Sequence, residues 1–341
     1  MKNLDELRDL IFRLCTAPGT PGDEAAAAQT AAEELSKYGE ASIDKMGNVV
    51  AKMGKPGAKI HIMLDAHMDQ IGLIVTGIDE NGFLRVDRCG GVDRRVLPGS
   101  PVTVYGAEVL TGIVCCTPPH LSDGSEEKVD PIDKMAVDVG LTKEEAEKLI
   151  QPGDRILMHS EPKNLVGTRV SSAALDDRCG VASLIRCAQM LAGAKLNCEL
   201  TILCSGREEV GGQGARTGAY AVNPTRAIMV DVGFAEQPDV PPAKCGKLGG
   251  GPMIGIAPPL DRSMSSRLIE LAKKNGIPYK LDIMGNSTGT NADEVAMTRA
   301  GVPSALLSVP LRYMHTPVEV IDLEDVENTA FLMAEYIKGV E

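Results

Sequence analysis

The sequence predicts an α/β protein, a sheet with helices on both faces, with a small β-barrel inserted in its chain. Three observations carry that expectation. Helical and buried-strand runs alternate at both ends of the chain, the stretch between them breaks into short β segments, and 341 residues of 43% hydrophobic content suffice for two modules.

The elements follow in order. Leu4, Leu7, Leu10, Ile11 and Leu14 recur at helical spacing in NLDELRDLIFRLC, which predicts a first helix over 3–15. APGTPGDE breaks the chain before an Ala-rich second helix that runs to about Lys37. β-prone segments come next, with a turn at Met46-Gly47-Asn48, and then KIHIMLDAHMDQIG, whose apolar run ends at His67 and Asp69. From about Gly72, the segments LIVTGIDENGFLRVDR, SPVTVYG, VLTGIVCC, MAVDVG and RILMHS are divided by Gly, Pro, Asn and Asp, the pattern of a small barrel. Beyond it DDRCGVASLIRCAQMLAG reads as a helix, CELTILCS and RAIMVDVG as buried strands, and SSRLIELAKKNG as a helix. PYKLDIMG and PSALLSVPL are strands around a helix near ADEVAMTRAG, and a last helix starts at about Leu323. This divides the chain into a main domain over 1–72 and 165–341, with the barrel over 73–164. The loop PPHLSDGSEEKVD at 118–130 is polar enough to be mobile.

Composition narrows the function classes. Lys+Arg 35 against Asp+Glu 47 gives a net charge of -12, which repels polyanions and argues against a nucleic-acid partner. No apolar run approaches the roughly 20 residues of a membrane span, and MKNLDELRDLIF lacks the basic start of a secretory leader, so a soluble protein is expected, without membrane partners. Nine cysteines, an odd number without a CxxC pair, lie in apolar runs such as TILC, which suits a reducing cytoplasm. Trp is absent and aromatics reach 3%, which disfavours sugar-gripping platforms.

Five places share a carboxylate or imidazole just beyond an apolar β run: LDAHMD (His67, Asp69), AALDDR (Asp176, Asp177), CSGREE (Glu208, Glu209), MVDVG (Asp231) and YMHTP (His315). Strand ends of an open α/β sheet are where ligands are held, so all five can converge on one crevice. Each alone is ordinarily a turn former or helix cap. Together they offer imidazole and carboxylate donors for a pair of divalent ions, and the paired acids allow one to ligate while its neighbour acts as a base.

The stretches AHMDQIG, ALDDRCG, REEVGGQGA, VDVG and RYMHTPVE, in this order and at these separations, resemble metallopeptidase family forty-two. That family includes glutamyl, deblocking and tetrahedral (TET-type) aminopeptidases, and some members were named endoglucanases. The resemblance spans the chain and implies a zinc-peptidase-like mixed-sheet catalytic domain with an inserted barrel for dimerisation or as a lid. It implies two divalent ions, Zn, Co or Mn, with His67 and Asp231 on one, Glu209 and His315 on the other, and Asp176 bridging them. Asp69 would orient His67, and Glu208 would be the general base toward a water bridging the ions. Short peptides would be the substrates, and dimers would assemble into a tetrahedral dodecamer. Gln70, Gly212-Gln213 and Asn291 depart from the family's frequent Glu, Leu-Arg and Asp near where substrate binds.

Other residues have plainer readings. His61 and His159 read as packed or surface histidines, His120 as a solvated loop residue, Cys179 as a small hydrophobe, and Gly249–Gly251 as a tight loop near the metal site. Arg262, Arg312 and Lys247 are candidate contacts for an acidic side chain, though such residues are mostly surface charges. The leading expectation is a di-metal aminopeptidase. A metal-dependent carboxypeptidase or deacylase, and more remotely a two-carboxylate endoglucanase, are the alternatives.

Overall fold

The computed structural model describes residues 4–118, 120 and 129–340. Helices α1 (Leu4–Thr16) and α2 (Ala25–Leu35) open the chain, followed by β1 (Glu40–Ile43), β2 (Val49–Gly54) and β3 (His61–His67). β1 and β2 form the hairpin expected around Met46-Gly47-Asn48, closed by Asp44, whose carboxylate accepts the Met46 and Asn48 backbone N–H groups.

The chain then leaves the sheet. Strands β4 (Gly72–Ile78), β5 (Leu84–Cys89), β6 (Pro101–Tyr105), β7 (Val109–Val114), β8 (Ala136–Asp138) and β9 (Arg155–Met158) close into a barrel, with helix α3 (Lys143–Leu149) before the last of them. Alternate residues such as Leu73, Val75, Leu84, Val86, Val102 and Val104 fill its interior, a core separate from the sheet's. The loop expected to be mobile, 118–130, lies outside the described residues except at its ends.

The return begins with β10 (Lys163–Asn164) and β11 (Arg169–Ser172), then α4 (Leu175–Leu191), β12 (Glu199–Ser205), α5 (Gln213–Val222) and β13 (Arg226–Phe234). It continues through β14 (Met253–Ile256), α6 (Arg262–Asn275), β15 (Lys280–Ile283), α7 (Asn291–Ala296), β16 (Ser304–Leu311), β17 (Glu319–Asp322) and α8 (Leu323–Lys338). The main sheet has eight strands in the order β1-β2-β12-β3-β13-β16-β14-β15. Its centre, β12, β3, β13 and β16, is parallel, and antiparallel pairings flank it on both sides, which makes the sheet mixed. β10, β11 and β17 form a small second sheet that the sequence reading did not anticipate.

Helices cover both faces because the central strands are apolar on both. Ile62, Leu64 and Ala66 of β3 pack in the large core with α1, α2, α4, α6 and α8, while Met63 packs with Leu203, Met229 and Leu306 under α5 and α7. Among the described residues no helix is long and apolar enough to cross a membrane.

Candidate metal centre and substrate cleft

β3 lies between β12 and β13, all three parallel, so their carboxyl ends open on one crevice. His67 ends β3, Glu208 and Glu209 sit in the turn after β12, and Asp231 lies toward the end of β13. Asp176 comes from the start of α4, and His315 from the turn between β16 and β17. The five predicted stretches therefore meet.

Asp176 stands at the middle. Its Oδ1 is 3.1 Å from His67 Nε2 and its Oδ2 is 3.5 Å from His315 Nε2, so the two oxygens face different imidazoles. Asp231 Oδ1 lies 3.9 Å from His67 Nε2, and Glu209 Oε1 lies 3.3 Å from His315 Nε2. Two sets, His67–Asp176–Glu209 and His67–Asp177–Asp231, have donor atoms within 4.8 Å of one another.

Both imidazoles are held from behind. His67 Nδ1 lies 3.1 Å from the Asp69 carbonyl, and His315 Nδ1 lies 2.8 Å from the Gly91 carbonyl. A ring that donates its Nδ1–H to a carbonyl presents the Nε2 lone pair on its other side, here toward the carboxylates. Asp69 acts through its carboxylate as well: Oδ1 accepts the Glu208 N–H at 3.0 Å and Oδ2 the Glu209 N–H at 3.2 Å, fixing the turn that carries both acids. His67 Nδ1 is 3.5 Å from that carboxylate.

These groups perturb one another. Burial pushes the Asp176 carboxyl up, but the His315 and His67 rings outweigh it and hold it below the ordinary range. Burial lowers His315, yet Asp176 and Glu209 raise it to about 11, and His67 is raised likewise by Asp176 and Asp69. Glu208 goes up to about 7 through burial and the neighbouring acids Glu209, Asp176 and Asp69, with His67 opposing. Burial also raises Asp231 and Asp177. A bound cation would resolve this crowding by replacing the protons on the rings and neutralising the acids.

The spacing fits such ions. Ligand bonds of about 2.0–2.2 Å in a tetrahedral shell place donors roughly 3.3–3.6 Å apart, and the pairs above span 3.1 to 3.9 Å. Asp177 Oδ2, fully buried, has no hydrogen-bond partner among the described residues and is a further oxygen beside the centre.

Four residues around the centre escaped the sequence reading. Glu319, 2% exposed, accepts the Asp176 N–H at 3.1 Å with Oε2 and the His315 N–H at 3.0 Å with Oε1. It lies inside RYMHTPVE, but no pattern marks an acid that bonds backbone. Gly90 and Gly91 bring the end of barrel strand β5 against the centre: a Cβ at Gly91 would lie 2.7 Å from the His315 ring, and one at Gly90 3.1 Å from Glu209 Cβ. Arg178, wholly buried next to the two aspartates, donates Nε to the Met68 carbonyl and Nη1 to those of Leu14 and Ala17.

Other expectations fall away from the centre. His61 bonds Thr201 Oγ1 at 2.8 Å on the sheet, and Cys179 is buried beside Cys15 and Asp177. The glycine loop at 249–251 does not line the cleft; Gly249 and Gly251 donate their N–H groups to Asp325 of α8, which fixes the loop. Arg312 donates to the Glu236 carbonyl and Lys247 lies 3.9 Å from Glu236; neither they nor Arg262 line the cleft.

The centre opens into a cavity of about 820 Å³, walled by the ends of β13 and β16, by β15 and by the segment from Asp282 to Glu294. A sheet-end cleft of imidazoles and acids, roomy enough for a peptide end, belongs to a peptide hydrolase of the metallo-aminopeptidase class. The M42 glutamyl aminopeptidase family model matches residues 47–332, and the chain belongs to that family. It is 34% identical to a lysyl aminopeptidase of Pyrococcus furiosus, over 94% of each chain. An aminopeptidase from the archaeon Desulfurococcus kamchatkensis superposes with a TM-score of 0.93 at 33% identity, covering 99% of this chain and 96% of that one. The Pyrococcus horikoshii TET1 peptidase, which can assemble into a tetrahedron or a large octahedral shell, superposes with a TM-score of 0.86 at 30% identity, covering 98% and 100%.

Proposed function

We propose that this chain is a di-metal aminopeptidase that removes N-terminal residues from short peptides. The observation that carries the reading is Asp176, whose two carboxylate oxygens face two separate imidazoles. His67, Asp231 and Asp176 would hold one divalent ion and Asp176, Glu209 and His315 the second, with Zn, Co and Mn all suited to such donors. The ions supply Lewis acidity toward a water and toward the scissile carbonyl.

The protein's own groups do the remainder. Glu208, held through its backbone N–H by Asp69 and lining the cleft, takes the proton of the attacking water and passes it to the leaving amine. Buried acids around it favour its accepting a proton. The same surplus of negative charge receives the substrate's α-ammonium group.

The assembly reading follows the TET1 relative: dimers associating into a tetrahedral dodecamer. Val109 and Ile113 on the barrel and Leu165 and Val166 after it are exposed apolar residues, Val166 by 92%, and such residues suit an interface. Nine free cysteines, six of them buried, suit a reducing cytoplasm.

The test is hydrolysis of aminoacyl p-nitroanilides after chelation and after adding back Zn, Co or Mn, with Glu208→Gln in parallel. Metal-restored activity that falls at least about a thousandfold in the variant, with metal binding retained, is the expected result. Cleavage that survives chelation overturns the di-metal reading, since a two-carboxylate mechanism needs no ion. Preference for N-blocked peptides turns it toward a deacylase or carboxypeptidase.

A further inference from the structure

The cleft extends well beyond the candidate centre, and its far wall carries charge. β15 lies three strands from β13 in the sheet, so about 14 Å separates the strand bearing Asp231 from the strand bearing Asp282. Register aligns Asp231 with Ser308, Met253 and Lys280 in turn, and Asp282, two residues on, projects from the same face of β15 as Lys280. Asp282 lines the cavity, half-buried, and among the described residues no hydrogen bond or ion pair engages its carboxylate. Burial raises its carboxyl above the ordinary range, with Lys280 opposing.

Its neighbours leave it so. The nearest cation in sequence, Lys280, spends its ammonium on the carbonyls of Pro242 and Cys245. Asp293 is committed to the Thr288 and Gly289 N–H groups. Glu294, also on the cavity wall, has only a loose pairing with the exposed Arg216 at 3.6 Å. Gly212 adjoins it at φ +69°, where a Cβ would come within 2.8 Å of Glu294 Cγ; the absence of a side chain there keeps this acid open to the cleft. Lys244 is the opposing charge. It stands exposed at the cavity wall, where water and salt screen it more than the half-buried Asp282.

We infer that the cleft selects peptides with a basic N-terminal residue, lysine or arginine, whose side chain crosses the cavity to Asp282, with Glu294 adding to the negative wall. This rests on the aminopeptidase reading above. A residue whose α-amine and carbonyl occupy the centre has several ångströms left to cross to β15. The four-carbon stem of lysine reaches roughly 6 Å and ends in a cation, while alanine stops short and glutamate brings like charge.

The experiment compares kcat/KM for Lys-, Arg-, Leu- and Glu-p-nitroanilides with metal-loaded wild-type, Asp282→Asn and Asp282→Lys proteins. Wild type should favour lysine and arginine over leucine. The lysine-to-leucine ratio should fall about tenfold in Asp282→Asn, the scale of one charge-assisted hydrogen bond, and Asp282→Lys should favour glutamate. A ratio within a single preparation is insensitive to a general loss of folded protein. If wild type cleaves leucine or glutamate better than lysine, or Asp282→Asn lowers every substrate alike, the inference fails while the aminopeptidase reading stands. Cleavage of none of the four overturns both.

Discussion

Glu319 shows how one buried carboxylate can set two ligands at once. Its two oxygens take the backbone N–H groups of Asp176 and His315, which belong to elements distant in sequence, and so fix their separation. In Glu319→Gln one of those acceptors becomes an NH₂ donor facing an N–H. We expect divalent-ion affinity to drop about 10–100-fold, in line with other outer-shell changes at metal sites, as read by calorimetric titration of the apoprotein; unchanged affinity would assign Glu319 to packing alone. Arg178 ties the same region to the end of the first helix through the Leu14 and Ala17 carbonyls and to the end of β3 through that of Met68. Arg178→Met leaves those buried acceptors without a donor and should cost about 3 kcal/mol in denaturant unfolding, whereas a loss under 1 kcal/mol would mean that water replaces the guanidinium. Six of the seven residues singled out from the sequence line one cleft, with Asp69 buried behind His67, because a polar group at the end of an apolar run is visible in one dimension. Glu319 and Arg178 were not, since their partners are backbone atoms, most of them more than a hundred positions away, and no side-chain pattern marks such a bond.

Gly90 and Gly91 are where the barrel meets the candidate centre. The turn after β5 passes so close to His315 that its carbonyl bonds the ring and a side chain at 91 has no room. Gly91→Ala should therefore displace the imidazole, lowering kcat/KM more than tenfold while the barrel core, lined by other residues, keeps its melting transition. Wild-type activity in that variant would show that the barrel only borders the cleft. The regular elements were legible where their pattern was long: the first helix, the hairpin at Met46-Gly47-Asn48, the buried strands and the last helix all form. Helix α3 was missed although Thr142 and Glu145 make a capping box, because its seven residues sit among barrel strands. α5 was missed because it opens at Gly212 in a run of glycines, which lowers any helical signal. The helix expected around ADEVAMTRAG is only Asn291–Ala296, held instead by Thr290 at its N-cap and by Asn291, which donates to Asp65 and Ser205.

Across the whole molecule, the candidate centre joins parts of the chain that the barrel separates. His67 precedes the barrel, while Asp176, Glu209, Asp231 and His315 follow it, so folding must bring together groups 109 or more residues apart at a point of concentrated negative charge. On a chain of net charge -12, that concentration of acids costs stability, which bound cations would offset. Ions bound only by the folded protein then stabilise it by mass action, about 4 kcal/mol per site at a thousand times the dissociation constant. Thermal scans of protein stripped by chelator and protein reloaded with Zn, Co or Mn should differ, the reloaded form melting several degrees higher. The Asp176→Ala protein, lacking the group that faces both imidazoles, should show little of that shift. A stripped protein that melts where the loaded one does would mean that His67 and His315 keep their protons and that their carboxylate partners, not ions, hold the two sides of the cleft together.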